Sequence, residues 1–272
     1  MQYEKIPQNG GIPKLGLGTW EVGGHMSPDY SQDERVVQAW RAAIDIGYRH
    51  IDTAEMYGGG HTEELVRRAI QGVDRRDLFL TSKVWHTNLH YQEVLQAADD
   101  SLKRLGTDYL DLYLIHWPNE NVPLEETFRA LNELLQLGKV RHLGVSNFNV
   151  EQLRQAQQLC ESPLFGDQVP YSLSNREYAE NGVLEYCQEN GMILTAYTPV
   201  EKGKLANNAL LQEIAAKHDA TPIQVALKWL IRQPQVITIP MSTHIEHLQE
   251  NLEAVDVQLS EEDVERLDRV VA

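Results

Sequence analysis

Residues 48–58 read Tyr48-Arg49-His50-Ile51-Asp52-Thr53-Ala54-Glu55-Met56-Tyr57-Gly58, and they join a short apolar strand to a run of glycines. A strand that ends at Asp52 places its carboxylate at the carboxyl edge of a sheet. The run Gly58-Gly59-Gly60 then lets the chain turn sharply before a helix that the pattern predicts over Glu63–Ile70. We therefore expect Tyr57 to overhang the edge at which Asp52 lies.

Two further polar residues end apolar runs in the same way, Lys83 after one run and His116 after the next. Positioned carboxylate, phenol, ammonium and imidazole groups are the usual carriers of protons in enzymes. We predict that Asp52, Tyr57, Lys83 and His116 meet in one proton-transfer site. Taken singly, each has a structural alternative: a helix cap, a packing aromatic, a cation at the rim and a histidine at a strand end.

The rest of the chain repeats a short apolar strand, a loop and an amphipathic helix. Two short runs, Tyr3–Ile6 and Ile12–Leu15, flank an Asn9-Gly10 turn that is typical of a hairpin. Eight further strands are predicted at Leu15–Gly18, Tyr48–Asp52, Leu78–Lys83, Leu110–His116, Val140–Val145, Gly166–Val169, Met192–Ala196 and Val236–Ile239. Helices are predicted at Glu34–Ile46, Tyr91–Leu105, Leu124–Leu137, Val150–Leu159, Thr221–Ile231 and Glu261–Val270.

Eight strand-then-helix units predict an α/β fold, a (β/α)8 TIM barrel with an N-terminal β-hairpin, because each parallel connection needs a crossover helix. A doubly wound open sheet is the alternative, but Gly16 and Gly18 lack the third glycine of a G-x-G-x-x-G fingerprint. The length of 272 residues and the absence of a linker predict a single domain over residues 1–272. In such a barrel the four candidate residues fall at the catalytic end of the strands.

The amino-acid composition excludes several classes of binding partner and of bound structure. The net charge of −16 repels nucleic acids and anionic membranes, so we expect neither as a partner. Cys160 and Cys187 lack metal-ligand spacing and are too few for a disulfide scaffold, as in a reducing cytoplasm. No window reaches the ~18 apolar residues of a membrane span, and Met1–Pro7 lacks a signal pattern. We expect a soluble cytoplasmic monomer.

The histidines raise the question of a metal. His86 and His90 stand four residues apart, but the intervening glutamate of H-E-x-x-H is missing and no cysteine joins them. We therefore predict no metal site and interpret both as loop histidines.

Five motifs stand in an order that resembles the aldo-keto reductases, from Gly16 to Asn251, in particular their short prokaryotic members. They are Asp52-Thr53-Ala54-x-x-Tyr57-Gly58, Ser82-Lys83-Val84-Trp85, Asp108-Tyr109-Leu110-Asp111-Leu112-Tyr113-Leu114-Ile115-His116-Trp117-Pro118, Lys139-Val140-Arg141-x-x-Gly144-Val145-Ser146-Asn147-Phe148 and Ile239-Pro240…Glu250-Asn251. The resemblance implies an NAD(P)H-dependent oxidoreductase that reduces small aldehydes and ketones to alcohols, with Tyr57 as general acid.

The charges around Tyr57 bear on that role. A free phenol has a pKa of ~10 and is a poor proton carrier at neutral pH. An ammonium at Lys83 favours the phenolate, and a carboxylate at Asp52 holds that ammonium charged and in place. We therefore expect the pKa of Tyr57 to be lowered toward neutrality. His116 is expected to donate a hydrogen bond to the substrate's carbonyl oxygen.

The resemblance also implies a nicotinamide dinucleotide that lies extended across the barrel mouth, and it assigns contacts along the cofactor. For the nicotinamide and pyrophosphate these are Gly18, Thr19, Asp52, Ser146, Asn147, Gln168, Tyr197, Thr198 and Val200, with Tyr197 stacked on the nicotinamide ring. For the adenosine end they are Ser242, Thr243, His247, Glu250 and Asn251.

The adenosine end departs from the family pattern. Met241 and His247 stand where the family carries the lysine and arginine that clasp the 2′-phosphate of NADP. Losing two cations removes charge-assisted hydrogen bonds worth about 1.5–3 kcal/mol each. We expect NADP(H) as the cofactor, with NAD(H) as the alternative.

The resemblance places aromatic side chains around the substrate, namely Trp20, Trp85 and Trp117 beside His116. The chain ends at Ala272 soon after its last predicted helix, which leads us to expect an open site for small, varied carbonyl compounds. Two alternatives remain: an NAD-dependent alcohol or sugar dehydrogenase of the same fold, and a nicotinamide-sensing regulatory subunit.

Overall fold

The N-terminal hairpin is present in the computed structural model, which describes residues 2–6 and 10–270. Strand β1 (Tyr3–Lys5) pairs antiparallel with β2 (Gly11–Pro13), so that Tyr3 lies opposite Pro13. The prediction of a hairpin is confirmed. Its expected turn includes Gln8 and Asn9, which lie outside the described residues.

Eight parallel strands follow in chain order around one sheet, each paired with its neighbours in sequence. They are β3 (Leu17–Gly18), β4 (His50–Asp52), β5 (Phe79–Val84), β6 (Leu110–Ile115), β7 (Val140–Ser146), β8 (Gly166–Pro170), β9 (Ile193–Tyr197) and β10 (Val236–Thr238). Parallel bridges from Leu15 to Thr238 and from Gly18 to Met241 join the first strand to the last. The predicted (β/α)8 barrel is therefore confirmed, because these bridges close the sheet on itself.

Helices cover the outside of the sheet. They are α1 (Asp33–Ile46), α2 (His61–Ala69), α3 (Tyr91–Leu105), α4 (Leu124–Gln136), α5 (Val150–Leu159), α6 (Glu177–Glu180), α7 (Val183–Glu189), α8 (Ala209–Lys217), α9 (Pro222–Ile231), α10 (Ile245–Glu253) and α11 (Glu261–Asp268). The bounds of α3 and α5 agree with the sequence pattern. Helix α2 begins two residues earlier than expected, because Gly60 adopts a left-handed conformation (φ 97°) and starts the helix at His61.

Strand burial explains why the sheet forms here. All six residues of β6 are buried, as expected for a parallel strand with the barrel interior on one face and helices on the other. Inward side chains of several strands, including Leu112 of β6, Ile193 of β9 and Ile237 of β10, fill the interior together with Ile12 of the hairpin. The lower barrel is thus a packed core, which leaves the carboxyl ends of the strands as the open end.

The seam between first and last strands depends on a glycine. A Cβ added at Gly18 would lie 2.4 Å from the carbonyl oxygen of Ile239, closer than any side chain tolerates.

Within the described residues, no helix is long and apolar enough to cross a membrane. Over the same ranges no three metal-binding side chains converge.

Candidate active site

A buried lysine links the candidate residues at the open end of the barrel. Asp52 ends β4, and Lys83 lies on the neighbouring β5 with its ammonium directed at that carboxylate. The Nζ of Lys83 donates to Oδ1 of Asp52 at 2.5 Å, to the carbonyl oxygen of Thr53 at 2.8 Å and to the hydroxyl of Tyr57 at 3.1 Å. The Lys83 and Asp52 side chains are 0% and 2% exposed, so water screens this ion pair little.

The turn after β4 brings Tyr57 over these two charges. Gly58 and Gly59 have left-handed backbones, with φ values of 58° and 61°. A Cβ at Gly58 would lie 2.5 Å from the carbonyl oxygen of Gly23, so only glycine fits this close approach. The glycine run that the sequence displays is thus what directs the phenol back onto the end of the strands.

The pKa of Tyr57 does not move in the expected direction. Burial raises it above the usual value, and the nearby Lys83 ammonium lowers it only in part, while the Asp52 carboxylate raises it further. The prediction of a lowered pKa is wrong, because desolvation outweighs the charge of one ammonium. The phenol is therefore protonated and able to donate.

Lys83 keeps its charge in this buried place. Burial alone lowers the pKa of an ammonium, but the Asp52 carboxylate and the Tyr57 phenol outweigh that cost and raise the pKa of Lys83 above its usual value. The lysine is therefore charged at neutral pH, and its ammonium is hydrogen-bonded to both the Asp52 carboxylate and the Tyr57 hydroxyl.

His116 faces the phenol from the end of β6. Its ring lies edge-on to the rings of Tyr57 and Trp85, with centroid separations of 5.6 and 5.0 Å. Burial, together with the Lys83 ammonium and His86, lowers the pKa of His116 to about 2, so the imidazole is neutral. Its Nδ1 is buried and has no hydrogen-bond partner among the described residues.

Amide and hydroxyl groups from the next strands complete the wall. The Nε2 of Gln168 donates to the second oxygen of Asp52 at 2.7 Å. The Nδ2 of Asn147 donates to the carbonyl oxygen of His116 at 3.1 Å and to Oγ of Ser146 at 2.9 Å. The hydroxyl of Tyr197 donates to Oδ1 of Asn147 at 2.9 Å. These bonds connect β4, β6, β7, β8 and β9 across the barrel mouth.

A cavity of about 280 Å³ opens above these groups. Twelve of the site residues predicted from the sequence lie on its wall: Gly18, Thr19, Trp20, Asp52, Tyr57, His116, Trp117, Asn147, Gln168, Tyr197, Thr198 and Val200. Trp20 packs on Tyr57 with ring centroids 4.7 Å apart, and Trp117 is 41% exposed at the rim. Lys83, Trp85 and Ser146 lie behind this wall, each in contact with one of its residues.

The fold and this constellation agree with what is found in known proteins. A model of the aldo/keto reductase family matches residues 14–272. The chain belongs to the aldo/keto reductase family. The recognition made from the five motifs is therefore confirmed.

Several relatives of this aldo/keto reductase have names or structures. The methylglyoxal reductase YeaE of Escherichia coli is 38% identical, over 99% of this chain and 95% of the relative. The glyoxal reductase of Bacillus subtilis is 38% identical over 94% and 88%. Two crystal structures are similar: a thermostable aldo-keto reductase with the inhibitor epalrestat (48% identity, TM-score 0.96, covering 98% and 99%) and a Klebsiella pneumoniae reductase with NADP and acetate (37%, 0.90, covering 98% and 94%).

The stretch expected at the adenosine end lies apart from the cavity of this aldo/keto reductase. Ser242, Thr243, His247, Glu250 and Asn251 belong to the loop before α10 and to α10 itself, outside the wall described above. The carboxylate of Glu250 is engaged by the Thr221 hydroxyl at 2.5 Å, in the N-terminal cap of α9. Met241 is 42% exposed and lies where this stretch meets the cavity.

Two basic residues near this stretch, Arg35 and His244, were not predicted from the sequence. The guanidinium of Arg35, on α1, lies 2.8 Å from Nε2 of His244, and the ring of His244 lies 5.3 Å from that of His247. His244 follows the two hydroxyl residues directly, so the motif could have revealed it. Arg35 carries no local signal, since it stands 209 residues earlier in the chain.

Proposed function

We propose that this aldo/keto reductase reduces small aldehydes and ketones to alcohols, taking hydride from a nicotinamide dinucleotide. The observation that carries the proposal is the buried series Asp52–Lys83–Tyr57, which presents a protonated phenol to a cavity with neutral His116 on the other side. Relatives named methylglyoxal reductase and glyoxal reductase support substrates of small size.

Each of the four polar residues has its own role in the proposed reduction. The dinucleotide supplies the hydride when it is bound. Tyr57 donates the proton that converts the carbonyl oxygen into a hydroxyl, and Lys83 stabilises the phenolate that remains. Asp52 keeps the ammonium charged and in place. His116, neutral because it is buried, donates a hydrogen bond through a ring N–H that orients the carbonyl oxygen toward the phenol.

The walls fit a dinucleotide. The His116 ring, the amides of Asn147 and Gln168 and the Tyr197 ring all lie on the wall of the cavity. These groups would hold a nicotinamide ring and its carboxamide, with the loop that carries Thr198 beside the pyrophosphate. A Klebsiella pneumoniae relative crystallised with NADP supports NADP(H) as the preferred cofactor. NAD(H), with an oxidative NAD-dependent role, is the alternative, because the uncharged Met241 stands where the family carries a cation for the 2′-phosphate of NADP.

A Tyr57→Phe variant tests the proposal most directly. Reduction of methylglyoxal and a panel of small aldehydes is followed by NADPH and NADH oxidation, side by side. Turnover should fall by at least ~10²-fold, since the general acid is lost. Cofactor affinity, measured by tryptophan fluorescence, should change little.

The matched control is Tyr186→Phe, which removes a phenolic hydroxyl from α7, away from the cavity. It should keep wild-type turnover. Near-normal turnover in Tyr57→Phe would show that the proton comes from another group. Absence of turnover in the wild type with every carbonyl tested would favour a nicotinamide-binding regulatory subunit.

We further propose that residues 1–272 form one domain, which acts as a cytoplasmic monomer and binds no nucleic acid. The closed barrel and the net charge of −16 support this. Size-exclusion chromatography with light scattering should give one species near 31.0 kDa, and thermal unfolding should show one transition.

A further inference from the structure

A second buried charge lies on the outer side of the barrel wall, behind the lysine. Glu63, in the first turn of α2, has a fully buried side chain. Its Oε1 accepts from the hydroxyl of Ser82 at 2.6 Å, and its Oε2 accepts from Nε of Arg104 at 2.7 Å. Arg104 also donates to the hydroxyl of Ser101 at 3.1 Å, on its own helix α3. One carboxylate therefore ties α2 to β5 and to α3.

These ties flank Lys83 and Tyr57, the ammonium and the phenol of the proposed reaction. Ser82 directly precedes Lys83 on β5, and alternation along the strand points one side chain outward and the other inward. On the other side, Gly60 ends the turn that begins at Tyr57. A Cβ added at Gly60 would lie 2.7 Å from Cδ of Arg104, so the turn rests directly on the arginine stem.

Another carboxylate ties the same turn from its beginning. Glu55, two residues before Tyr57, accepts from the main-chain amide of Trp85 at 2.5 Å and from Nδ2 of Asn88 at 3.0 Å. Trp85 lies two residues after Lys83. The turn is thus fixed to β5 on both sides of the phenol.

Stability alone does not account for such a cluster. A buried ion pair is often no better for stability than apolar residues of similar volume, because desolvation offsets the attraction. What a buried polar cluster does supply is a single geometry, since any shift leaves a charge without its partner.

We propose that Glu63, Ser82 and Arg104 are positioning residues for the reaction, fixing the turn of Tyr57 against β5 so that the phenol stays 3.1 Å from the Lys83 ammonium. This inference rests on the proposed function, in which Tyr57 donates the proton. Misplacing a catalytic group by about 1 Å can cost on the order of 10²-fold in rate. Removing the ties should therefore slow the chemical step and leave the predicted cofactor contacts on β7 to β9 intact.

The test uses Ser82→Ala and Glu63→Gln in the full chain. Single-turnover reduction of methylglyoxal at saturating NADPH should slow by about 10- to 100-fold in both. The KM for NADPH and its dissociation constant should stay within about twofold, because Asn147 and Gln168 do not touch the cluster. The control Arg266→Ala removes an exposed ion pair with Glu213 and should leave the rate unchanged.

A double-mutant cycle separates positioning from general loosening. In the Tyr57→Phe background, Ser82→Ala should slow the residual rate less than twofold, because no phenol remains to be positioned. The same loss in both backgrounds, or an unchanged rate in folded Ser82→Ala, overturns the inference. Where Glu63→Gln does not fold, Ser82→Ala decides alone. Failure of the proposed function looks different, since Tyr57→Phe would then match the wild type.

Discussion

Restoring two cations at the adenosine end should shift cofactor preference toward NADPH. The change is Met241→Lys combined with His247→Arg. Both positions are exposed, Met241 by 42%, so new charge-assisted bonds to a phosphate belong at the lower end of their range, about 1.5 kcal/mol each. Together they amount to roughly 3 kcal/mol, or on the order of 100-fold in dissociation constant.

The structure reduces that figure. Arg35 already lies against His244 beside this stretch, and a phosphate that it partly neutralises gains less from further cations. We therefore expect NADPH to bind roughly 10- to 100-fold more tightly in the double variant, and NADH to change by less than about twofold. The gain should shrink toward about 1 M salt, where the Debye length falls to about 3 Å.

Titration of tryptophan fluorescence with each cofactor, at low and high salt, measures the effect. The matched control adds the same two charges on the opposite side of the protein, as Leu137→Lys with Gln136→Arg at the end of α4. It changes the net charge equally and should leave the NADPH:NADH ratio unaltered. Equal tightening of both cofactors, or none, would refute the placement of Met241 and His247 at the 2′-phosphate.

Three further outcomes are expected. Lys83→Met should lower turnover by at least ~10²-fold and destabilise the fold by about 3–5 kcal/mol, because the buried Asp52 carboxylate loses its partner. The control Lys139→Met removes an exposed ion pair and should destabilise the fold by less than about 1 kcal/mol. Equal losses of stability in urea unfolding of the two variants would contradict this prediction. Burial lowers the pKa of His50 from 6.5 to about 4, so below pH 6.5 only the unfolded chain takes up its proton. Stability should fall by about 3 kcal/mol as the pH drops from 6.5 to 4, and a His50→Asn variant that keeps the same slope in that window would argue against it. Gly18→Ala should destabilise the fold by about 1–3 kcal/mol, because the new Cβ meets the carbonyl oxygen of Ile239. An unchanged urea midpoint would show that the first and last strands of the barrel can move apart enough to accept the methyl group.

Much of the fold could be predicted because its signals are local. Helix α3 ends at Leu105, and the next residue, Gly106, has a left-handed backbone (φ 65°) that stops the helix. Helix α5 begins at Asn149, whose side chain and that of Gln152 cap each other's amides. Such devices act within four residues, so the chain displays them openly. The short helix α6 and the helix α8 lie in the less regular stretch around β9, and the sequence pattern did not predict them.

The direction of the Tyr57 pKa could not be predicted, for the opposite reason. The sequence displays the charged neighbours of the phenol, Lys83 and Asp52, and suggests that the ammonium dominates. Whether it does depends on how much water reaches the phenol, which is a property of the whole barrel mouth. The structure buries Tyr57 almost completely, and desolvation then outweighs the ammonium.

Glu63 and Glu64 show where inference from sequence ends. They are identical neighbours at the start of α2, and the pattern treats both as acids that favour a helix N-terminus. In the fold, the Glu64 side chain is 54% exposed and accepts from His61, whereas that of Glu63 is fully buried between Ser82 and Arg104. Helix α2 starts at His61 after the left-handed Gly60, and the packing of that helix against β5 and α3 turns Glu63 inward. The motif residues that carry out the reaction are visible in the chain because their chemistry is distinctive. Glu63, which is proposed to hold them in place, is ordinary in sequence, and its burial sets it apart.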